Sequence, residues 1–69
     1  MTAGVDYLIK EAKVSVRGGD AWEYAVMALG EAGGSDAVDF LITQINVSTR
    51  GGNAWKVAIK ALGRASRTV

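Results

Sequence analysis

Two Arg-Gly-Gly triplets, Arg17-Gly18-Gly19 and Arg50-Gly51-Gly52, are the first residues of this chain whose types and spacing suggest chemistry. Repeated RGG marks RNA-binding tails, and a glycine-flanked helix start offers free N–H groups to a phosphate or carboxylate. Such tails are disordered and clustered, whereas each triplet here stands between two amphipathic stretches. The glycines are therefore read as giving backbone freedom to an interhelical turn. An anion would suit Arg50 to Asn53 better than Arg17 to Asp20, where the carboxylate of Asp20 repels it. A third glycine-rich stretch, Gly30 to Ser35, lacks the Lys and the preceding strand of a phosphate-binding P-loop.

Catalysis finds little material. The chain has no His and no Cys, which removes the commonest general base, the commonest metal ligand and any thiolate site. A reaction would have to rest on carboxylates, Lys or hydroxyls alone, and no spacing gathers them. The expectation is a non-enzymatic protein with no cofactor, no metal site and no small-molecule substrate.

Charge points the same way. The net charge of +1 is too small to draw nucleic acid or an anionic membrane by bulk attraction. It is unevenly divided: residues 1–34 carry three basic and five acidic side chains, residues 35–69 five and two, giving −2 and +3. Such halves suit internal pairing or head-to-tail association. The five basic residues of the second half, Arg50, Lys56, Lys60, Arg64 and Arg67, make a small nucleic-acid binder the alternative function. No apolar run approaches the length of a membrane span, and the N-terminus, MTAGVDYLIK, has no secretory signal, so no membrane partner and a cytoplasmic location are expected.

The elements that must position these residues repeat. RGGDAWEYAVMALG, Arg17 to Gly30, returns as RGGNAWKVAIKALG, Arg50 to Gly63, at an offset of 33 residues. Val5, Asp6, Leu8, Ile9, Val14 and Ser15 echo more weakly as Val38, Asp39, Leu41, Ile42, Val47 and Ser48. A fixed period in this range is the signature of stacked repeats. Four apolar faces carry the i, i+3, i+4, i+7 spacing of amphipathic helices. They are Val5, Leu8, Ile9 and Ala12; Trp22, Ala25, Val26 and Leu29; Val38, Leu41, Ile42 and Ile45; and Trp55, Ala58, Ile59 and Leu62. Thr2, Ser35 and Asn53 are placed as N-caps, and Asp20 with Glu23 as an acidic capping box. Brief alternation at Lys13 to Val16 and Ile45 to Thr49 gives a strand reading, but it lasts about two periods. The predicted fold is all-α: two tandem helix–turn–helix repeats, four antiparallel helices in a short α-solenoid. The single domain spans residues 1–69, with repeat one at 2–34 and repeat two at 35–67.

The segment ALGEAGGSDAVDFLITQI, Ala28 to Ile45, resembles the HEAT-like repeat of the phycobilisome-lyase type. Ala28, Leu29, Gly30, Gly33, Ala37, Val38, Leu41, Ile42 and Ile45 sit on that pattern. The turn differs, since the family's D-x-x-V-R is replaced by R-G-G-[DN]-A-W, and the period is slightly longer. Tetratricopeptide repeats are the runner-up: Trp22 and Gly33 match their Trp and second Gly spacing, as Trp55 does again, but Val26 and Ile59 stand where that family needs a small residue. The resemblance implies a scaffold that binds other macromolecules. The iron hydroxylases of the wider family use His-Glu ligand pairs, so their activity does not carry over to a chain without His.

Within this frame Trp22 and Trp55 read as core, each indole N–H needing an acceptor. Tyr7 and Phe40 form a matched pair on a flank that would meet a neighbouring repeat, one of them left at an open end. The candidate partner-binding residues are those that differ between copies. Glu23, Tyr24, Met27 and Glu31 correspond to Lys56, Val57, Lys60 and Arg64. Equivalent positions of consecutive repeats lie side by side, which pairs Glu23 with Lys56 and Glu31 with Arg64. Tyr24, Met27 and Val57 then form an apolar strip in a charged frame. Two repeats leave both ends of a stack open, so the chain is expected to bind a protein partner, itself, or both, as a homo-oligomer.

Overall fold

Helix α1, Ala3–Val14, begins a computed structural model that describes residues 3–67. It is followed by α2, Asp20–Ala32, α3, Ser35–Val47, and α4, Asn53–Ser66. The fold is all-α, with no strand among the described residues, so the alternation at Lys13 to Val16 and Ile45 to Thr49 does not form a hairpin. Each sequence copy folds as a helical hairpin, α1 with α2 and α3 with α4. The hairpins join chiefly through α2 against α4, while α1 and α3 barely touch.

The turns are built alike. Gly19 N–H donates to the Val16 carbonyl at 2.9 Å, and Gly52 N–H to the Thr49 carbonyl at 2.9 Å. The third residue of each turn, Gly18 or Gly51, has φ of 88° or 83°, a conformation that costs glycine nothing and a residue with a Cβ a good deal. Before each turn a hydroxyl closes the helix: Ser15 Oγ donates to the Glu11 carbonyl and Ser48 Oγ to the Gln44 carbonyl, both at 2.7 Å.

The expected caps are displaced by one residue. Gly19, Gly34 and Gly52 take the N-cap positions, and none has a side chain to make a capping bond. Their carbonyls accept the first helical bonds, from Glu23, Val38 and Lys56. Asp20, Ser35 and Asn53 are thus the first helical residues rather than caps. Thr2 lies outside the described residues.

The core lies between the hairpins. Trp22, Val26, Leu29 and Leu41 are its largest fully buried side chains, each aliphatic one worth about 1.5–3 kcal/mol of burial. Ala25, Ala37, Phe40, Ala58, Ala61 and Ala65 complete its centre with Ala12. Ala61 packs so closely on α2 that a Cβ on Gly30 would lie 2.9 Å from its carbonyl oxygen. The apolar faces of the second copy fare differently from those of the first. Ile42 and Ile59 were placed on helix cores by their spacing but are exposed, Ile59 at 39%. Their side of the second hairpin corresponds to the side of the first that the second hairpin covers.

Candidate functional site

A groove of about 540 Å³ runs between α2 and α4, lined by Tyr24, Met27, Ala28 and Glu31 from α2 and Val57, Lys60, Ala61 and Arg64 from α4. The four residues of each helix stand at i, i+3, i+4, i+7, one stripe of an α-helix turned outward. Close packing of α2 on α4 at Gly30 sets the two stripes side by side. Ala28 and Ala61 are the small residues of this lining, among longer side chains. Tyr24 and Met27 are 75% and 56% exposed, so an apolar wall faces solvent.

The frame is charged. Arg64 pairs with Glu31 across the groove, as their equivalent positions predict. Both side chains are exposed, so the pair fixes register more than it adds stability, at about 0–1 kcal/mol. The second expected pair does not form. Glu23 accepts a 2.6 Å hydrogen bond from Asn53 Nδ2 and makes no ion pair with Lys56. Asn53 lies one helical turn before Lys56, at the start of α4, where the helix dipole favours a carboxylate. Of the candidate residues, Tyr24, Met27, Glu31, Val57, Lys60 and Arg64 come together in the groove. Glu23 and Lys56 stand outside it. Ala28 and Ala61 join the lining as well, and the repeated Ala-Leu-Gly is their sequence signal: small residues recur where helices or ligands approach closely.

The remaining candidates settle into structural places. Trp22 is buried, and its Nε1–H donates to Gln44 Oε1 at 3.2 Å, which supplies the acceptor the indole needs. Trp55 is only half-buried. Phe40 is 8% exposed and Tyr7 62%, so Tyr7 is the one left at an open end. A shallower depression beside the second turn is lined by Arg17, Val47, Ser48, Thr49, Gly52, Asn53 and Ala54. Arg17 and not Arg50 lines it, donating from Nη1 to the Val47 carbonyl at 3.4 Å. The RGG arginine of the first copy thus ties the hairpins together.

Lys56, Lys60 and Arg64 recur every fourth residue along α4, with Arg50 before the helix and Arg67 after it. Arg64 is paired with Glu31, which thins this basic stripe. Among the described residues no three Asp or Glu side chains gather as a metal-binding cluster. Nor is any described helix long and apolar enough to cross a membrane.

The fold and site define a small all-α protein of two packed helical hairpins, with an outward-facing apolar groove in a charged frame. No family model, no curated protein and no solved structure matches the chain.

Proposed function

We propose that this chain is a non-enzymatic, HEAT-like helical-repeat module that acts by binding protein, and that it also associates with itself through its open faces. One observation carries the reading: Tyr24, Met27 and Val57 present an apolar surface in a groove framed by Glu31, Lys60 and Arg64. A groove between two helices with an exposed aromatic and a methionine suits a helical peptide that lays apolar anchors into it. With Arg64 paired to Glu31, Lys60 is the charge left to read the partner. The fitting ligand is an amphipathic peptide helix with an acidic residue beside its apolar face.

Titration calorimetry with short acidic amphipathic peptides tests this, alongside basic and scrambled versions. Binding by the acidic set, lost in Tyr24→Ala and Met27→Ala and weakened in Lys60→Glu, is the expected result. Dissociation constants no tighter than about 1 mM for every peptide would overturn it. So would tighter binding of DNA or RNA with a steep salt dependence, which would favour the basic residues of α4 instead.

A further inference from the structure

We propose that copies of this chain stack head to tail, the exposed face of α3 and α4 in one copy receiving the exposed face of α1 and α2 in the next. The register is the one in which the second hairpin already sits on the first. This rests on the reading of the chain as self-associating and specifies its polarity.

The contact between the hairpins is a template. Because the copies are offset by 33 residues, every contact across it has a counterpart between the second hairpin of one molecule and the first hairpin of another. The counterparts fit. Trp22 gives its indole proton to Gln44, and the counterpart joins Trp55 to Glu11 of the next copy, a carboxylate and a stronger acceptor. Gly30 seats Ala61, and the counterpart joins Gly63 to Ala28 of the next copy, the same two residue types. Gly63 has nothing within 4 Å of where its Cβ would stand, so the seat is open.

Charge follows the same rule, although the charged residues differ between the copies. Glu31 with Arg64 becomes Arg64 with Glu31 of the next copy, so the two signs alternate along a continuing ladder. Glu23 with Asn53 becomes Lys56 with Asp20 of the next copy, again opposite charges. Face-to-face dimers have no such match. Joining two α4 faces opposes Lys56, Lys60 and Arg64 to their own copies, and joining two α2 faces opposes Asp20 and Glu31 to theirs.

Burial marks the same two faces. Trp22, Val26, Leu29 and Gly30 are buried under the second hairpin, and their counterparts Trp55, Ile59, Leu62 and Gly63 are half-buried or exposed. Phe40, Ala61 and Ala65 are buried against the first hairpin, and their counterparts Tyr7, Ala28 and Ala32 are likewise half-buried or exposed. One copy therefore has an apolar donor face and an apolar acceptor face. A heterologous contact of this kind leaves a free face after every addition, so it builds a chain or a ring rather than a closed pair.

Sedimentation equilibrium with two blocking variants is the test. Gly63→Leu fills the open seat on α4, where an added Cβ meets nothing within 4 Å in its own chain, and Ala28→Leu puts bulk on the opposite face. Circular dichroism confirms that each remains helical. The wild type is expected to rise in mass with concentration past the dimer, and each variant alone to stay at least tenfold more weakly associated. Their equimolar mixture is expected to stop at a heterodimer, since each variant keeps one intact face of opposite kind. A wild type that stays monomeric at about 1 mM overturns self-association itself, and this inference with it. A wild type that saturates as a dimer, or a mixture no more associated than its components, overturns the head-to-tail polarity and leaves self-association standing.

Discussion

Gly30 and Ala61 bring the two hairpins into close backbone approach: a Cβ on Gly30 would lie 2.9 Å from the Ala61 carbonyl oxygen and 3.0 Å from its Cα. Both atoms belong to the backbone, so no side-chain rotation relieves the contact. The equivalent glycine, Gly63, meets nothing within 4 Å. One residue type in two equivalent helical positions thus has two different reasons to be tolerated, and substitution separates them.

Gly30→Ala must push α4 away from α2. Overpacking of this kind costs about 1–3 kcal/mol, more than the roughly 1 kcal/mol that alanine gains in helix propensity. Gly63→Ala makes the same gain with no clash and is expected to stabilise the monomer by about 0.5–1 kcal/mol. Urea denaturation at dilution gives both values. Opposite signs are expected, and a stabilised Gly30→Ala would mean that the helices stand farther apart than described.

Trp22 and Gln44 make a second testable pair. The indole N–H is sealed in the core, and Gln44 Oε1 at 3.2 Å is its acceptor. Gln44→Leu leaves that donor unpaired, at a cost of about 1–3 kcal/mol. Gln44→Glu retains an acceptor and should cost less. A double-mutant cycle with Trp22→Phe isolates the bond, with a coupling of about 1 kcal/mol expected. A cycle that closes to zero would show that the indole finds its acceptor elsewhere.

Much of this was legible in the sequence because period and type agree. Val5-x-x-Leu8-Ile9 and Trp22-x-x-Ala25-Val26 repeat at one offset, and each marks a helix that the structure contains. Glu31 and Arg64 were paired by the same offset, and they do meet. What the pattern hid lies where the two copies are alike in sequence but not in surroundings. Val26 is sealed and Ile59 is not, because only one hairpin has a neighbour on that side. At the starts of α2, α3 and α4 the polar residue masks the glycine before it, which is the true cap and whose carbonyl accepts the first helical bond. Asn53 was assigned to its own helix end, but its amide reaches across to Glu23, a tertiary contact that no local signal announces. Beyond the repeated Ala-Leu-Gly, Ala28 and Ala61 carry no sequence signal of a groove, because alanine reads as a helix former before it reads as a surface.

Leu29 and Leu62 occupy equivalent places, yet Leu29 is fully buried and Leu62 only half-buried. Leu29→Ala opens an enclosed cavity at about 2–5 kcal/mol. A domain this small holds roughly 5 kcal/mol in all, so the variant keeps about 0–3 kcal/mol and should melt well below the wild type. Leu62→Ala in the dilute monomer should cost well under half as much, because its site already opens to solvent and can collapse. Head-to-tail stacking would cover Leu62 as the second hairpin covers Leu29. The penalty at Leu62 should then grow with chain concentration, while that at Leu29, closed within the molecule, stays fixed. Thermal melts of both variants and the wild type across a concentration series read this directly. A Leu62→Ala deficit that is constant with concentration would mean that nothing covers this face.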